Sequence, residues 1–466
     1  MRGLPKLMSG VTAWYVSGRM FANGLSYLAQ WCLLLLGGRA LYGEWTYTVV
    51  VGTLASVAVR SGLELVVVPL AVRGEYARQR LVMGSCALVG SLLATMLVFT
   101  GWAASAVFHN QVWVAASVVG AAVGLGDIGL ALSRVRDLRF SALQVGLVRP
   151  SVLFLASAAV GEAAKISADQ QVFMHGAVDW ASAVSYGISY APSVWYALRC
   201  AASATVEGIA HTVRSGRKVF VAQALTTVVG GCDRVLIGSI FGPQVLALYS
   251  IAARTAGLVG MPLSALVGLA GRSMASDVEE NGRRPWEAAA MLSGLGGSVM
   301  VVAALGVWIA LGGSVNGGAG VTSVLYILLA GQLINAASGP TGALLVTRGL
   351  EGRYLRIAMY GVCALGIGGA VAFLTGNVVV VPWVVLVNEI VGNGMVVVAV
   401  GKYSGSLLRL HAALIVLASV LVTGSVINLM PEWMIVIQCA GGVALLSLAG
   451  LRRVRSCVLD VARLQW

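Results

Sequence analysis

Residues 218–242 read KVFVAQALTTVVGGCDRVLIGSIFG, an apolar stretch carrying Asp233 and Arg234 side by side. Neighbours on a helix point about 100° apart, so these two cannot pair as residues four apart would. Each needs its own partner, because an unpaired charge in mid-membrane costs at least about 3 kcal/mol and marks an internal pair or a path. Other polar residues fall into stripes at helical spacing: Arg19, Asn23 and Gln30, then Thr53, Ser56, Arg60 and Glu64, then Gln223, Thr227 and Arg234. Arg254, the pair Gln332 and Asn335, and the group Asn388, Glu389 and Asn393 follow in later apolar runs. Such stripes cannot face lipid, and together they predict a hydrated internal cavity. Arg60 and Glu64, one turn apart, can also simply bridge each other. For Asp233 and Arg234 a buried ion pair with another helix is the plainer alternative.

The elements that position these groups are membrane helices. Of 466 residues 58% are hydrophobic and 11% charged, with a mean hydropathy of +0.88. Soluble domains carry about 25% charged residues. A membrane helix needs about 20 predominantly apolar residues. Fourteen such runs are predicted, at 11–36, 46–70, 81–104, 112–132, 140–160, 172–198, 218–241, 245–271, 288–311, 320–342, 355–375, 378–400, 409–430 and 433–451. With the N-terminus placed in the cytoplasm, alternate connections and the span edges bordering them hold 24 of the 31 basic residues, the opposite connections two (Arg39 and Lys165), and the span interiors five. Lys and Arg concentrate on the cytoplasmic side, so both termini are expected inside.

The net charge of +13 is spread along the cytoplasmic rims, where it orients the chain and meets membrane lipids; it does not call for nucleic acid. The basic N-terminus before the first apolar run resembles a signal peptide, but Arg19, Asn23 and Gln30 in that run predict a retained first span. Seven cysteines without a Cys-x-x-Cys and four scattered histidines suggest neither a disulfide framework nor a metal site. No cofactor is expected. No Walker-type phosphate loop occurs, so an ion gradient, the membrane potential or consumption of product must supply any driving force. Asp233 and Glu389 are the candidate ion-coupling carboxylates; Glu64 is expected to be neutralised by Arg60, and Asp127, in GLGDIG, to lie on a packing face.

An internal repeat is suggested by LLLLGGRALYGEWTY (33–47) and VLIGSIFGPQVLALY (235–249). Each is an apolar span end, a glycine-containing turn and a tyrosine opening the next span. The predicted organisation is therefore an all-α membrane protein with a six-helix lobe at 1–205, a second at 206–405, and two further helices with a basic tail at 406–466. Lobes repeated in one orientation place a substrate site between them.

With these features the chain resembles the Wzx-type polysaccharide export flippases, of the superfamily that also holds multidrug extruders. The resemblance rests on GRALYGEWTYTVV, SGLELVVVP, CDRVLIGSIFGPQVLALYSIAAR and SGPTGALLVTRGLEGRYLRI. It implies translocation of a polyprenyl-diphosphate-linked oligosaccharide across the cell membrane, beside polysaccharide polymerase or ligase machinery. The residues agree: diphosphate needs cations, and arginine offers a fork matched to phosphate oxygens. Arg19, Asn23, Arg60, Arg234 and Arg254 are the candidate substrate-binding residues. Arg149, next to Pro150, is the more doubtful intramembrane arginine, suited to filling a helix kink. Two rivals are weighed: a cation-exporting drug or ion antiporter, against which the arginines count, and a membrane polymerase or ligase, for which the outer loops are too short.

Overall fold

The computed structural model describes residues 4–60, 76–136, 138–166, 174–264, 266, 283–310, 313–341, 344–345, 348–400, 414–423 and 439. Among these the chain is helical, with no strand. Nine of the described helices are long and apolar enough to cross a membrane. The protein is an all-α, multi-pass membrane protein. Stretches expected to be apolar at 61–70, 267–271 and 424–430 lie outside the described residues, as does nearly all of 433–451.

The chain divides into two compact units, Met1–Ala247 and Leu248–Trp466. The first holds α1 (Leu4–Arg60), α2 (Tyr76–Phe108), α3 (Val112–Arg136), α4 (Leu138–Leu143), a π-helical turn (Gln144–Val148), α5 (Arg149–Ile166), α6 (Met174–Ala201) and α7 (Val206–Phe241). Helix α8 (Pro243–Gly257) begins at its end. The second unit holds the rest of α8, α9 (Arg283–Ala310), α10 (Gly313–Ser338), α11 (Glu351–Thr375) and α12 (Val380–Val400). Within it α10 packs against both α9 and α12.

Helix α1 covers the first predicted span and most of the second, and is broken at Gly38 (φ 79°, ψ 174°). The turn between α7 and α8 uses Gly242 in the same conformation (φ 84°, ψ 175°). That backbone region is accessible essentially only to glycine. The two hairpins suspected of being a repeat thus turn on glycines of one conformation, and they touch. A side chain at Gly43 would collide with the Pro243 carbonyl, and one at Gly238 would meet the Tyr47 ring.

Helix α3 sits at the centre of the first unit, packed against α1, α2 and α6. Its sequence explains how it gets so close. Gly120 lies against the Gly52 carbonyl and Gly124 against Val59 of α1, while Gly126 faces the Tyr190 ring and Gly129 the Ser193 carbonyl of α6. Without a hydrophobic drive between helices in lipid, such small residues give the van der Waals contact that holds membrane helices together.

Helix α6 occupies the sixth predicted span but is less apolar than the nine, because it carries a polar row. Asp179, Ser182, Ser185, Ser189 and Ser193 are all buried. Ser182, Ser185 and Ser189 donate to backbone carbonyls of the preceding turn, at Asp179, Ala181 and Tyr186. These three hydroxyls are satisfied locally and cost little when buried, whereas Ser193 Oγ is buried with no hydrogen-bond partner among the described residues.

Candidate functional site

An arginine cluster forms where α1, α3, α5 and α6 meet, and Asp127 is its hub. Asp127 Oδ2 lies 3.6 Å from Nη1 of Arg60, and its Oδ1 lies 3.6 Å from Nη1 of Arg149. The side chains are 12–22% exposed. Both separations exceed the ~2.7–3.2 Å of a hydrogen bond. Asp127 therefore attracts two guanidiniums as a point charge without closing the paired hydrogen bonds of a tight arginine–carboxylate fork.

Local structure explains the meeting. Gly124 admits Val59, the residue before Arg60, and Gly126 makes room for Tyr190 beside Asp127. On the opposite side, Pro150 cannot donate to the carbonyl of Gly146, and the helix widens into the π turn Gln144–Val148 immediately before Arg149. Gly146 in that turn lies against Gly18, the residue before Arg19. Gln144 Nε2 donates to the Ser189 carbonyl at 2.7 Å, tying the turn to α6. The Arg149 guanidinium then rests 3.6 Å from the centre of the Tyr190 ring. Tyr186 and Tyr190 stack, with ring centres 6.3 Å apart and planes 15° from parallel. Among the described residues, two guanidiniums flank the Asp127 carboxylate.

Of the residues singled out from sequence, Arg19 and Arg60 thus belong to one site, with the half-buried Asn23 one turn along α1 from Arg19. Arg149 lies there too, immediately after the π turn, where its proline neighbour suggested a kink. Asp127 lies on a packing face, as its small neighbours suggested, but that face also delivers it to two arginines. The expected pairing of Arg60 with Glu64 falls on a residue outside those described. Asp233 and Arg234 lie on α7, whose Gly231 packs on Leu54 of α1. Asp233 is buried, and the buried Nε of Arg234 meets no acceptor among the described residues.

Arg254 and Glu389 belong to the second unit. Arg254 is half-buried on α8. Glu389 on α12 packs beside Gly331 of α10, and Asn393 donates through Nδ2 to Glu389 Oε2 at 3.1 Å and to its carbonyl at 2.8 Å. Its hydrogen-bonding partner is thus a neutral carboxamide one turn away.

One buried acid escaped the sequence reading. Asp179, 6% exposed, accepts a 2.5 Å hydrogen bond from Thr48 Oγ1 of α1. It lines a cavity of about 490 Å³ with Glu44, Tyr47, His109, Gln111 and Ser239. All these residues lie at helix ends that the charge alternation puts on the same side of the membrane. The run of serines in α6 was the available signal, since a helix with so polar a row must hide it against a neighbour.

Residues 38–292 match the polysaccharide biosynthesis protein family. The chain belongs to that family. Its fold is similar to that of solved MATE transporters. A solved MATE protein in complex with MaL6 aligns with a TM-score of 0.58 at 13% identity, over 86% of this chain and 96% of its own. The structure of the MATE multidrug transporter DinF-BH gives the same TM-score, identity and coverage. A MOP-superfamily transporter from Pyrococcus furiosus, described as having a binding pocket of reverse polarity, aligns at 0.55 and 12% over 89% of this chain and 96% of its own. No curated protein matches the sequence.

Proposed function

We propose that this protein is a flippase that carries a polyprenyl-diphosphate-linked oligosaccharide from the cytoplasmic to the outer leaflet of the cell membrane, both termini being cytoplasmic. The observation that carries the reading is the cationic cluster around Asp127. Two guanidiniums against one described carboxylate favour an anion. A site for cationic drugs would need the opposite balance. A diphosphate brings two or more negative charges and several acceptor oxygens, and arginine meets these with planar pairs of donors. Membership of the polysaccharide biosynthesis family agrees with such a cargo.

Arg19, Arg60 and Arg149, with Asn23 beside them, form the primary anion site in this reading. Arg234 and Arg254 are further candidate contacts for the cargo in this reading. Asp233 and Glu389 are the carboxylates assigned to ion coupling. The hydrogen bond from Asn393 to Glu389 supports this, because a carboxylate held by a neutral amide can exchange its cation. The test is export of surface polysaccharide in cells whose own copy is deleted, complemented with Ala variants of Arg19, Arg60, Arg149, Arg234 and Arg254. At matched membrane abundance, the Arg60 and Arg149 variants lose most export. Undiminished export in all five contradicts the anion site.

A further inference from the structure

We infer that Asp127 is a built-in competitor for the anion site, a counter-ion that holds Arg60 and Arg149 while the site is empty and is displaced by the incoming diphosphate. This rests on the flippase reading above and adds to it the residue that sets how tightly cargo is held. Three observations carry it. Asp127 stands between the two guanidiniums at equal separation, 3.6 Å on either side, and uses a different oxygen for each. Neither contact is short enough to be a closed fork, so the carboxylate attracts both guanidiniums by charge rather than by paired hydrogen bonds. And the second guanidinium has an independent anchor, the Tyr190 ring, which keeps Arg149 in place after its carboxylate partner is lost.

A carboxylate in this position does two things for a carrier. It keeps the arginines from repelling one another apart before cargo arrives. It also repels a bound diphosphate from a few ångströms away, which weakens holding and aids release. A transporter needs that balance, because a site that binds anion too well stays loaded. A neutral residue of the same shape removes the repulsion but leaves the two arginines, Tyr190 and the packing of Gly124 and Gly126 unchanged. The expected result is therefore tighter binding and slower turnover. A residue with a purely structural role would weaken binding when replaced.

The experiment uses the full chain, purified in detergent at fixed ionic strength and titrated with inorganic pyrophosphate in a calorimeter. The parent binds. Arg149→Ala binds at least about tenfold more weakly, and Asp127→Asn binds about tenfold more tightly, on the order expected for removing one nearby charge in a partly screened site. Asp127→Ser, also neutral, is run in parallel, so that a folding defect in one neutral variant leaves the other to decide. Binding that is unchanged or weaker in the folded neutral variants, with Arg149→Ala still impaired, overturns the competitor role while the anion site stands. Absence of pyrophosphate binding in the parent, or binding unaffected in Arg149→Ala, overturns the anion site itself and this inference with it.

Discussion

The stacking of Arg149 on Tyr190 gives a quantitative test of the cluster's geometry. The guanidinium carbon lies 3.6 Å from the ring centre, well inside the ~6 Å over which a cation feels an aromatic face. In a partly desolvated setting this attraction is worth about 2 kcal/mol. Arg149→Met removes the cation while keeping a long side chain, and Tyr190→Leu removes the ring while keeping an apolar filler against Gly126. Each single change also disturbs other contacts, so only the cycle of both singles and the double isolates the pair. Unfolding is followed by intrinsic fluorescence in mixed micelles of increasing denaturing detergent. The expected coupling is about 1–2 kcal/mol, a factor of roughly five to thirty in the folded-to-unfolded ratio. Additivity to within about 0.3 kcal/mol, the value for independent sites, would refute the stacked arrangement.

Further expectations follow from single contacts. Gly129→Ala, whose Cβ would strike the Ser193 carbonyl, should destabilise the first unit by about 1–3 kcal/mol, whereas Gly187→Ala on α6, with open space around it, should be neutral or slightly stabilising; thermal unfolding distinguishes them. Gly242→Ala forces a side chain into a glycine-only conformation and should cost about 1–3 kcal/mol, lowering the yield of folded protein. Thr48→Val strips the buried Asp179 of a short hydrogen bond and should cost about 1.5–3 kcal/mol, with Thr48→Ser restoring most of it. In proteoliposomes with an imposed proton or sodium gradient, Glu389→Gln should blunt the response of transport to that gradient, and a response equal to the parent's would remove Glu389 from the coupling step.

What could be read in advance divides along physical lines. Apolar runs of span length are set by the thickness of the bilayer, so the described helices fall where hydropathy put them. The turn glycines were equally legible, since a span end followed by Gly and a Tyr-led span has few other meanings. Glu389 and Asn393, four residues apart, were visible as neighbours on one face. The approach of Asp127 to Arg60 is not legible. Periodicity reports which face of a helix is polar but not which distant helix that face meets, so GLGDIG reads as a packing face alone. GLGDIG has both roles, because the glycines that bring α3 against α1 and α6 are what carry its aspartate to the arginines. Arg149 was discounted for its proline neighbour. Yet the missing N–H of Pro150, with the π turn before it, marks the place where the helix departs from regularity to form the site.

The central claim is tested most directly by reconstitution. The purified protein is placed in liposomes carrying a fluorescent polyprenyl-diphosphate oligosaccharide in both leaflets, and a membrane-impermeant quencher or glycosidase reports the fraction that becomes accessible from outside. The account predicts that the initially protected inner pool becomes accessible with the parent protein, that Arg60→Ala and Arg149→Ala abolish most of this, and that a fluorescent lipid without the diphosphate is not moved. An inner pool that stays protected with folded parent protein under every imposed gradient would contradict it, as would equal movement of the lipid lacking the diphosphate.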